Sequence, residues 1–383
     1  MKYLFTDFYR DFSCMGGKCP DTCCAGWEIA IDEKTYEVYA SLPEPQKSDV
    51  CECIEEVSQG LEKKYRFIMQ EDERCPFLNK DNLCDLYIQV SPDALCHVCK
   101  TFPRKIVNYY DVIWATVTAA CPEVVRLLLD RREPIGFDYS EDLVQADTAD
   151  ADWMLYNELI NGLVISIDIL QDRQLPFWQR VHMVTNLTIM IDNYIKEGKL
   201  QFLREQVECV KTQEFRKQYI KVHGLQEAEM GNEWKTIYSL LKEIDNMASS
   251  LEEKGVPLQK YRSMEVLGEE GYRRWRECFL SVENEVELEN LSVSFVFEYY
   301  MDALKGKPLL SNIVKMILLL LEIRIGEIVD FNTKKDWTQK DKILLISRIC
   351  RCMENTPLLD ILAKRVVDTF SCEVLLQLAY LLR

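Results

Sequence analysis

The chain has 383 residues, 48% of them hydrophobic and 28% charged, with glycine and proline sparse; this excludes a disordered chain and allows two or three folded domains. Sixty-three acidic residues against 46 basic ones leave a net charge of −17. Such a surface repels nucleic acid and anionic membranes and welcomes a cationic partner, such as a lysine-bearing protein.

In chain order, the opening "MKYLFTDFYRDFSC" has no apolar core, because Asp7, Arg10 and Asp11 interrupt it, and it does not read as a secretory leader. "WEIAID" (27–32) alternates as a strand does. "EKTYEVYASL" (33–42) and "PEVVRLLLDRRE" (122–133) have helical patterns. The acidic stretch "DYSEDLVQADTADAD" (138–152) reads as a linker, and beyond it the pattern is helical throughout. "DWMLYNELINGLVISIDILQ" (152–171) comes first, then a helix opening near Pro176 and stopping at Gly198, then "LSVSFVFEYYMDALKGKP" (291–308), "NIVKMILLLLEIRIGEIVDF" (312–331) and the final "DILAKRVVDTFSCEVLLQLAYLLR" (360–383). The longest apolar run, "MILLLL" (316–321), falls far short of the ~20 residues of a membrane span. The expected fold is mainly α: a cysteine-rich α+β domain over 1–137 with short strands and loops, the linker over 138–152, and an all-α domain over 153–383. A cytoplasmic setting is expected, with no membrane or nucleic-acid partner.

In a reducing compartment sixteen cysteines read as metal ligands or buried thiols before disulfides. Eleven lie between Cys14 and Cys121; the other five, Cys209, Cys278, Cys350, Cys352 and Cys372, sit in apolar helical patterns and read as core fillers. In "CPDTCC" the adjacent Cys23 and Cys24 cannot easily face one tetrahedral ion, because successive side chains diverge, so they are expected to do different jobs. Cys75 and Cys84 bracket "CPFLNKDNLC", a loop with Asn79, Asp81 and Asn82 at its tip. Cys96 and Cys99 form "CHVC", a spacing that suits one metal, and Cys121 stands at a helix start. Cys19, Cys75 and Cys121 each precede proline, a weak sign of iron–sulfur ligation, while zinc suits four thiolates equally well. Cys51 and Cys53, in acidic "VCECIEE", read as incidental, and His97, His182 and His223 as ordinary.

The ordered motifs "CPDTCCAGWEIAIDEKTY", "CPFLNKDNLCDLY", "CHVCKTFPRKI" and "CPEVVRLLL" resemble the flagellin lysine-N-methylase family, whose cysteine-rich part is related to zinc- or iron-chelating domains with a CxxCxxCC signature. "PFWQRV", "IKEGKL" and "LSVSFVFEYYMDAL" extend the resemblance across nearly the whole chain. The resemblance implies S-adenosylmethionine-dependent methylation of lysine ε-amines on a protein, flagellin in the named members, by an enzyme carrying a [4Fe–4S] cluster. It maps the metal-binding thiols onto Cys14, Cys19, Cys23, Cys24, Cys75, Cys84, Cys99 and Cys121, with Cys96 outside the pattern. Eight thiols exceed one cluster's need of four, so a second ion or structural thiols must account for the rest.

Methyl transfer needs a neutral amine, so the site must desolvate the lysine or take its proton. Trp27, Tyr109, Tyr110 and Trp114 are candidate aromatic walls for cationic groups, Asp21 and Glu123 candidate bases, and Arg104 a candidate partner for the cofactor's carboxylate. No G-x-G-x-x-G follows a strand, so no dinucleotide-type pocket is legible. The competing expectation is a zinc- or iron-binding protein without catalysis.

Overall fold

Strand β1 (Lys2–Thr6) pairs in parallel with β6 (Val112–Val117), more than a hundred residues further along the chain. Parallel neighbours cannot be joined by a tight turn. The crossover between them is the cysteine-rich segment itself, so sheet pairing returns both ends of that segment to one place. β5 (Arg104–Tyr109) forms a hairpin with β6 through Tyr110, at φ 58°, and β7 (Phe137–Glu141) runs antiparallel on the far side of β1. The sheet order is β5-β6-β1-β7. The structure, a computed structural model, describes residues 2–57, 64–141, 151–223, 239–244, 246–247, 259–279 and 282–382.

Within the crossover, α1 (Glu33–Ala40) is capped by Asp32, which accepts from the Thr35 amide. After it come α2 (Gln46–Cys51) and α3 (His97–Thr101). Very short strands β2 (Ala30–Ile31), β3 (Ile54–Glu56) and β4 (Tyr65–Phe67) form a second sheet, ordered β2-β4-β3. This segment has a hydrophobic core of its own around Ile29, Tyr39, Phe67 and Leu86, separate from the main one.

The main core joins the larger sheet to the helices. α4 (Pro122–Asp130) is followed by α5 (Trp153–Leu170), α6 (Phe177–Lys196), α7 (Leu203–Val210), α8 (Gln213–His223), α9 (Gln259–Phe279), α10 (Val282–Tyr299), α11 (Leu309–Thr333), α12 (Gln339–Glu354), α13 (Leu358–Thr369) and α14 (Cys372–Gln377). α11 is the axle, buried along nearly all its length and packed by α6, α9, α10, α12 and α13, which is why "MILLLL" is so apolar. Phe297 on α10 lies 4.8 Å from the Trp114 ring and 5.0 Å from that of Phe137, seating the sheet on the bundle. One described helix, α5, is long and apolar enough to cross a membrane, and 56% of that span is buried inside the protein.

The mainly α class with a small α+β N-terminal region is borne out. Other readings need correction. The stretch read as a linker is partly sheet: Asp138–Glu141 pairs with β1, and 142–150 lies outside the described residues. "WEIAID" forms a strand only at Ala30–Ile31, because its neighbours find no ladder partner beyond β4. The C-terminal pattern is cut at Phe370–Ser371, where the Ser371 hydroxyl caps α14, before a final 3-10 turn over Leu378–Leu382. Of the five cysteines read as core fillers only Cys350 is buried; Cys352 is half-buried, and Cys209, Cys278 and Cys372 are exposed on the polar faces of their helices.

Where β5 meets the bundle, Lys105 pairs with Glu298 of α10 and, at 3.2 Å, with Glu354 of α12, which also accepts from the Thr118 hydroxyl. Both glutamate side chains are almost fully enclosed, 4% and 1% exposed. Burial and the neighbouring Glu354 charge push the Glu298 carboxyl up to about 7, against the pull of Lys105. A carboxyl raised on folding holds its proton in the native state where the unfolded chain has lost it, so stability falls as pH rises from about 4.3 toward 7. Glu298→Gln should flatten that slope: melting temperatures of variant and parent are expected to agree more closely at pH 5, with the variant gaining on the parent toward pH 8.

Candidate metal centre

The loop "SCMGGKCPDTCC" begins with a turn that only glycine makes cheaply. Gly16 has φ 54°, and a Cβ on Gly17 would stand 2.5 Å from the Asp81 carbonyl oxygen. That approach lays the Cys14–Cys19 turn against the tip of the Cys75–Cys84 loop. The second loop is built around Asn79, whose side-chain oxygen accepts from the amides of Asp81 and Leu83 while its amide donates to Asp85. Asn82 takes the left-handed conformation at φ 56° and accepts from Arg74 at 2.8 Å. A bridge between Ala25 and Arg74, and the Cys75 amide donating to the Cys24 carbonyl at 2.8 Å, then tie the vicinal cysteines to the second loop.

Together these elements wall a cavity of about 500 Å³. Cys14, Cys19, Cys23, Cys24, Cys84 and Cys121 line it, along with the carboxylate residues Asp21 and Glu123. Its apolar wall includes Phe12, Leu83, Ile88, Leu95 and Phe102, and its volume lies in the usual range for small-molecule sites. Cys121 is the N-cap residue of α4 with Pro122 at N1, so its sulfur sits beside the first helical amides.

Arg351 of α12, its side chain only 6% exposed, closes the site from the bundle. It donates to the carbonyls of Asp21 (3.1 Å), Thr22 (3.2 Å) and Ala120 (3.3 Å). One guanidinium therefore holds both the loop bearing Cys19 and Cys23 and the turn bearing Cys121. Arg348, one turn earlier, pairs with the Asp21 carboxylate at 3.2 Å.

Charge interactions divide the thiols into two groups. Cys23 feels Cys121 and Cys14, and Cys121 feels Cys19 and Cys14. Cys99 feels Cys96, Cys24 and Cys75, and Cys75 feels Cys24, Cys84 and Cys96. The vicinal pair links the two groups, since Cys23 and Cys24 interact with each other and both line the cavity. The Cys23 thiol hydrogen-bonds Cys24 and lowers it to about 7, while that same bond and burial push Cys23 up. Burial pushes Cys121 up to about 11 and Cys75 up to about 12. Such thiols stay protonated until a cation displaces the proton. Among the described residues, no three His, Cys, Asp or Glu side chains already close round a point as a metal ion would require. The sulfurs open onto a shared space instead.

The remaining candidates fall in different places. Asp21 and Glu123 both face the cavity, but Asp21 is paired with Arg348 and Arg351, and Glu123 is held by two hydrogen bonds from Arg126. Trp27 donates to the Cys23 carbonyl at 2.5 Å and packs on Phe102, behind the cavity wall. Arg104 lies over the rings of Tyr9 and Phe12 and does not itself line the cavity. Tyr109, hydrogen-bonded to Asp302, and Trp114, packed on Phe297, belong to the main core, and Tyr110 stacks with Trp153 and Tyr156. The His97 side chain is exposed, and buried His182 is hydrogen-bonded to Tyr219. Arg351 escaped the sequence reading because "RICRCME" looks like any amphipathic helix. Gly17 carried a signal in "MGGKCP" that only the approach of Asp81 makes meaningful.

Residues 164–376, more than half of the chain, match the family model of the FliB lysine N-methylase C-terminal domain. The flagellar biosynthetic protein FliU of Salmonella muenchen is 32% identical over 129 residues, 32% of this chain and 74% of that protein. Lysine-N-methylases of Salmonella choleraesuis and Salmonella typhimurium are each 31% identical over 147 residues, 37% of this chain and 35% of theirs. The match thus spans about a third of the length of those two relatives. No solved structure matches the chain.

Removing the clamp should loosen the site without touching a sulfur. Arg351→Met leaves three backbone carbonyls, that of Ala120 buried, without their donor, a loss of about 2–4 kcal/mol. Denaturant titration is expected to show it, with Cys19, Cys23 and Cys121 reacting at least tenfold faster with a thiol reagent in the folded chain. Gly17→Ala, which forces Asp81 away, is expected to cost about 1–3 kcal/mol; an unchanged midpoint would show that the two loops need not touch.

Proposed function

The chain belongs to the FliB lysine N-methylase family, and on that premise we propose that it methylates lysine ε-amines of a flagellar protein, with S-adenosylmethionine as donor, at the thiol-lined cavity. The observation that carries this reading is the cavity's composition: six thiols, an apolar wall and two carboxylates, held in place by a helix of the family-matched region.

The donor set fits an iron–sulfur cluster. Cys14, Cys19, Cys23 and Cys121 would hold it, four sulfurs from two chain segments with no histidine among them, and zinc is the alternative occupant. A bound cluster would supply positive charge that turns these thiols into thiolates, and an iron centre beside the reacting groups.

The protein's own residues do the rest. Phe12, Leu95 and Phe102 give the wall an apolar lining, and beside apolar groups an ammonium loses its proton more easily. Glu123 and Asp21 bring carboxylates to the rim, Glu123 balanced by Arg126 and Asp21 outweighed by Arg348 and Arg351. Because both carboxylates are already paired with arginines, they act as fixed charges, and proton removal relies chiefly on desolvation. Net charge −17 assists encounter with lysine-bearing surfaces and disfavours nucleic acid, and the many reduced thiols suit a cytoplasmic setting.

Anaerobically prepared protein, incubated with methyl-labelled S-adenosylmethionine and purified flagellin, should place label on lysine. Cys23→Ser and Cys121→Ser are expected to lower the rate at least tenfold while circular dichroism stays native. Absence of label from a folded, metal-loaded chain, together with no binding of S-adenosylmethionine by calorimetry, would favour metal binding without catalysis.

A further inference from the structure

Three thiols of the second group lie outside the cavity that the methylation reading uses, and Cys24 and Cys84 stand in the wall between the two places. Cys75 and Cys96 are buried in the small core of the crossover segment, and Cys24, Cys84 and Cys99 pack against that core. Cys75, Cys96 and Cys99 do not line the cavity. Cys96 is the N-cap residue of α3 and its sulfur lies 3.3 Å from that of Cys99. This turn is firmly seated: the Asp32 carboxylate accepts from the His97 amide at 2.8 Å, and the Tyr39 hydroxyl donates to the Ala94 carbonyl at 2.6 Å. Cys75 reaches the same core through its backbone bond to Cys24.

The segment needs a staple. Among the described residues its core consists of ten buried side chains, two of them cysteines, and its sheet is made of strands two or three residues long. A hydrophobic core of that size does not stabilise some ninety residues unaided, and small modules of this kind are commonly held by a metal.

We infer that Cys24, Cys75, Cys96 and Cys99 form a second, structural site for a single tetrahedral zinc ion, separate from the cavity centre. Two thiolates on zinc stand about 3.8 Å apart, given a zinc–sulfur bond of about 2.3 Å, so Cys96 and Cys99 are within about half an ångström of ligand spacing as they stand. Cys24 and Cys75 must turn toward that pair, since no three of these groups yet enclose a point. Cys84 remains at the cavity rim. A single ion suits this place better than a cluster because it fits among packed side chains and needs no open volume. Binding converts four thiols to thiolates and releases up to four protons. The adjacent Cys23 and Cys24 then serve two centres, and folding of the crossover becomes coupled to formation of the methylation site.

The test uses the full chain, purified anaerobically, with zinc and iron quantified separately by mass spectrometry. Wild type is expected to hold one zinc beside its iron. Cys99→Ser should lose the zinc, with at least a tenfold drop in affinity, and keep the iron and its visible absorbance; Cys121→Ser should do the reverse. If Cys99→Ser fails to fold, cobalt(II) titration of the zinc-stripped parent decides the matter: one equivalent giving an intense thiolate-to-cobalt band supports the site. The inference is overturned by a parent without zinc and without that band, by zinc retained in Cys99→Ser, or by zinc and iron leaving together from both folded variants. Methyl transfer and iron content are read separately, so this failure is distinguishable from failure of the methylation reading.

Discussion

Everything at the cavity depends on one buried guanidinium. Arg351 has given up its hydration, and three backbone carbonyls from two separate turns replace it. A charge so placed tolerates little displacement, because losing any of these partners leaves polar atoms stranded away from water. It therefore fixes the distance between the loop of Cys19 and Cys23 and the start of α4 at Cys121. Neither segment has enough secondary structure of its own to do this.

The sheet prepares what the arginine completes. Parallel pairing of β1 with β6 brings the chain back beside its own beginning after the crossover, so thiols far apart in sequence enter one neighbourhood before any metal is considered. The crossover then divides its cysteines between a wet face and a dry one. Those beside Phe12 and Phe102 open on a cavity large enough for a cofactor. Those beside Tyr39 and Phe67 are enclosed in a core. The vicinal cysteines, hydrogen-bonded to each other, sit where the two faces meet.

The same contrast of exposure sets the electrostatics. The molecule carries its negative charge over its surface, yet the carboxylates near the site and beneath the sheet are paired: Asp21 with two arginines, Glu123 with Arg126, Glu298 and Glu354 with Lys105. Buried charge is tolerable only in such company. Pairing removes Asp21 and Glu123 as free bases at the edge of a largely apolar chamber.

Much of this was legible from the residues. Helical periodicity predicted α4, α5, α6 and α11, because an amphipathic or wholly buried helix leaves its burial pattern in the order of its side chains. The spacing of the cysteines, and the family resemblance carried by their motifs, pointed to the third of the chain whose thiols wall the cavity. Short strands were not legible, since two residues such as Ala30 and Ile31 become a strand only when Tyr65 and Arg66 arrive beside them. Nor were the exposed Cys209, Cys278 and Cys372, whose helix faces depend on what packs opposite. Sequence determined which groups could ligate and which segments would be helical, because those properties reside in side chains and local backbone. Only the tertiary structure decided which thiols share a space, and that Arg351 rather than Arg104 guards it, because proximity between residues hundreds of positions apart is set by packing and has no local signature.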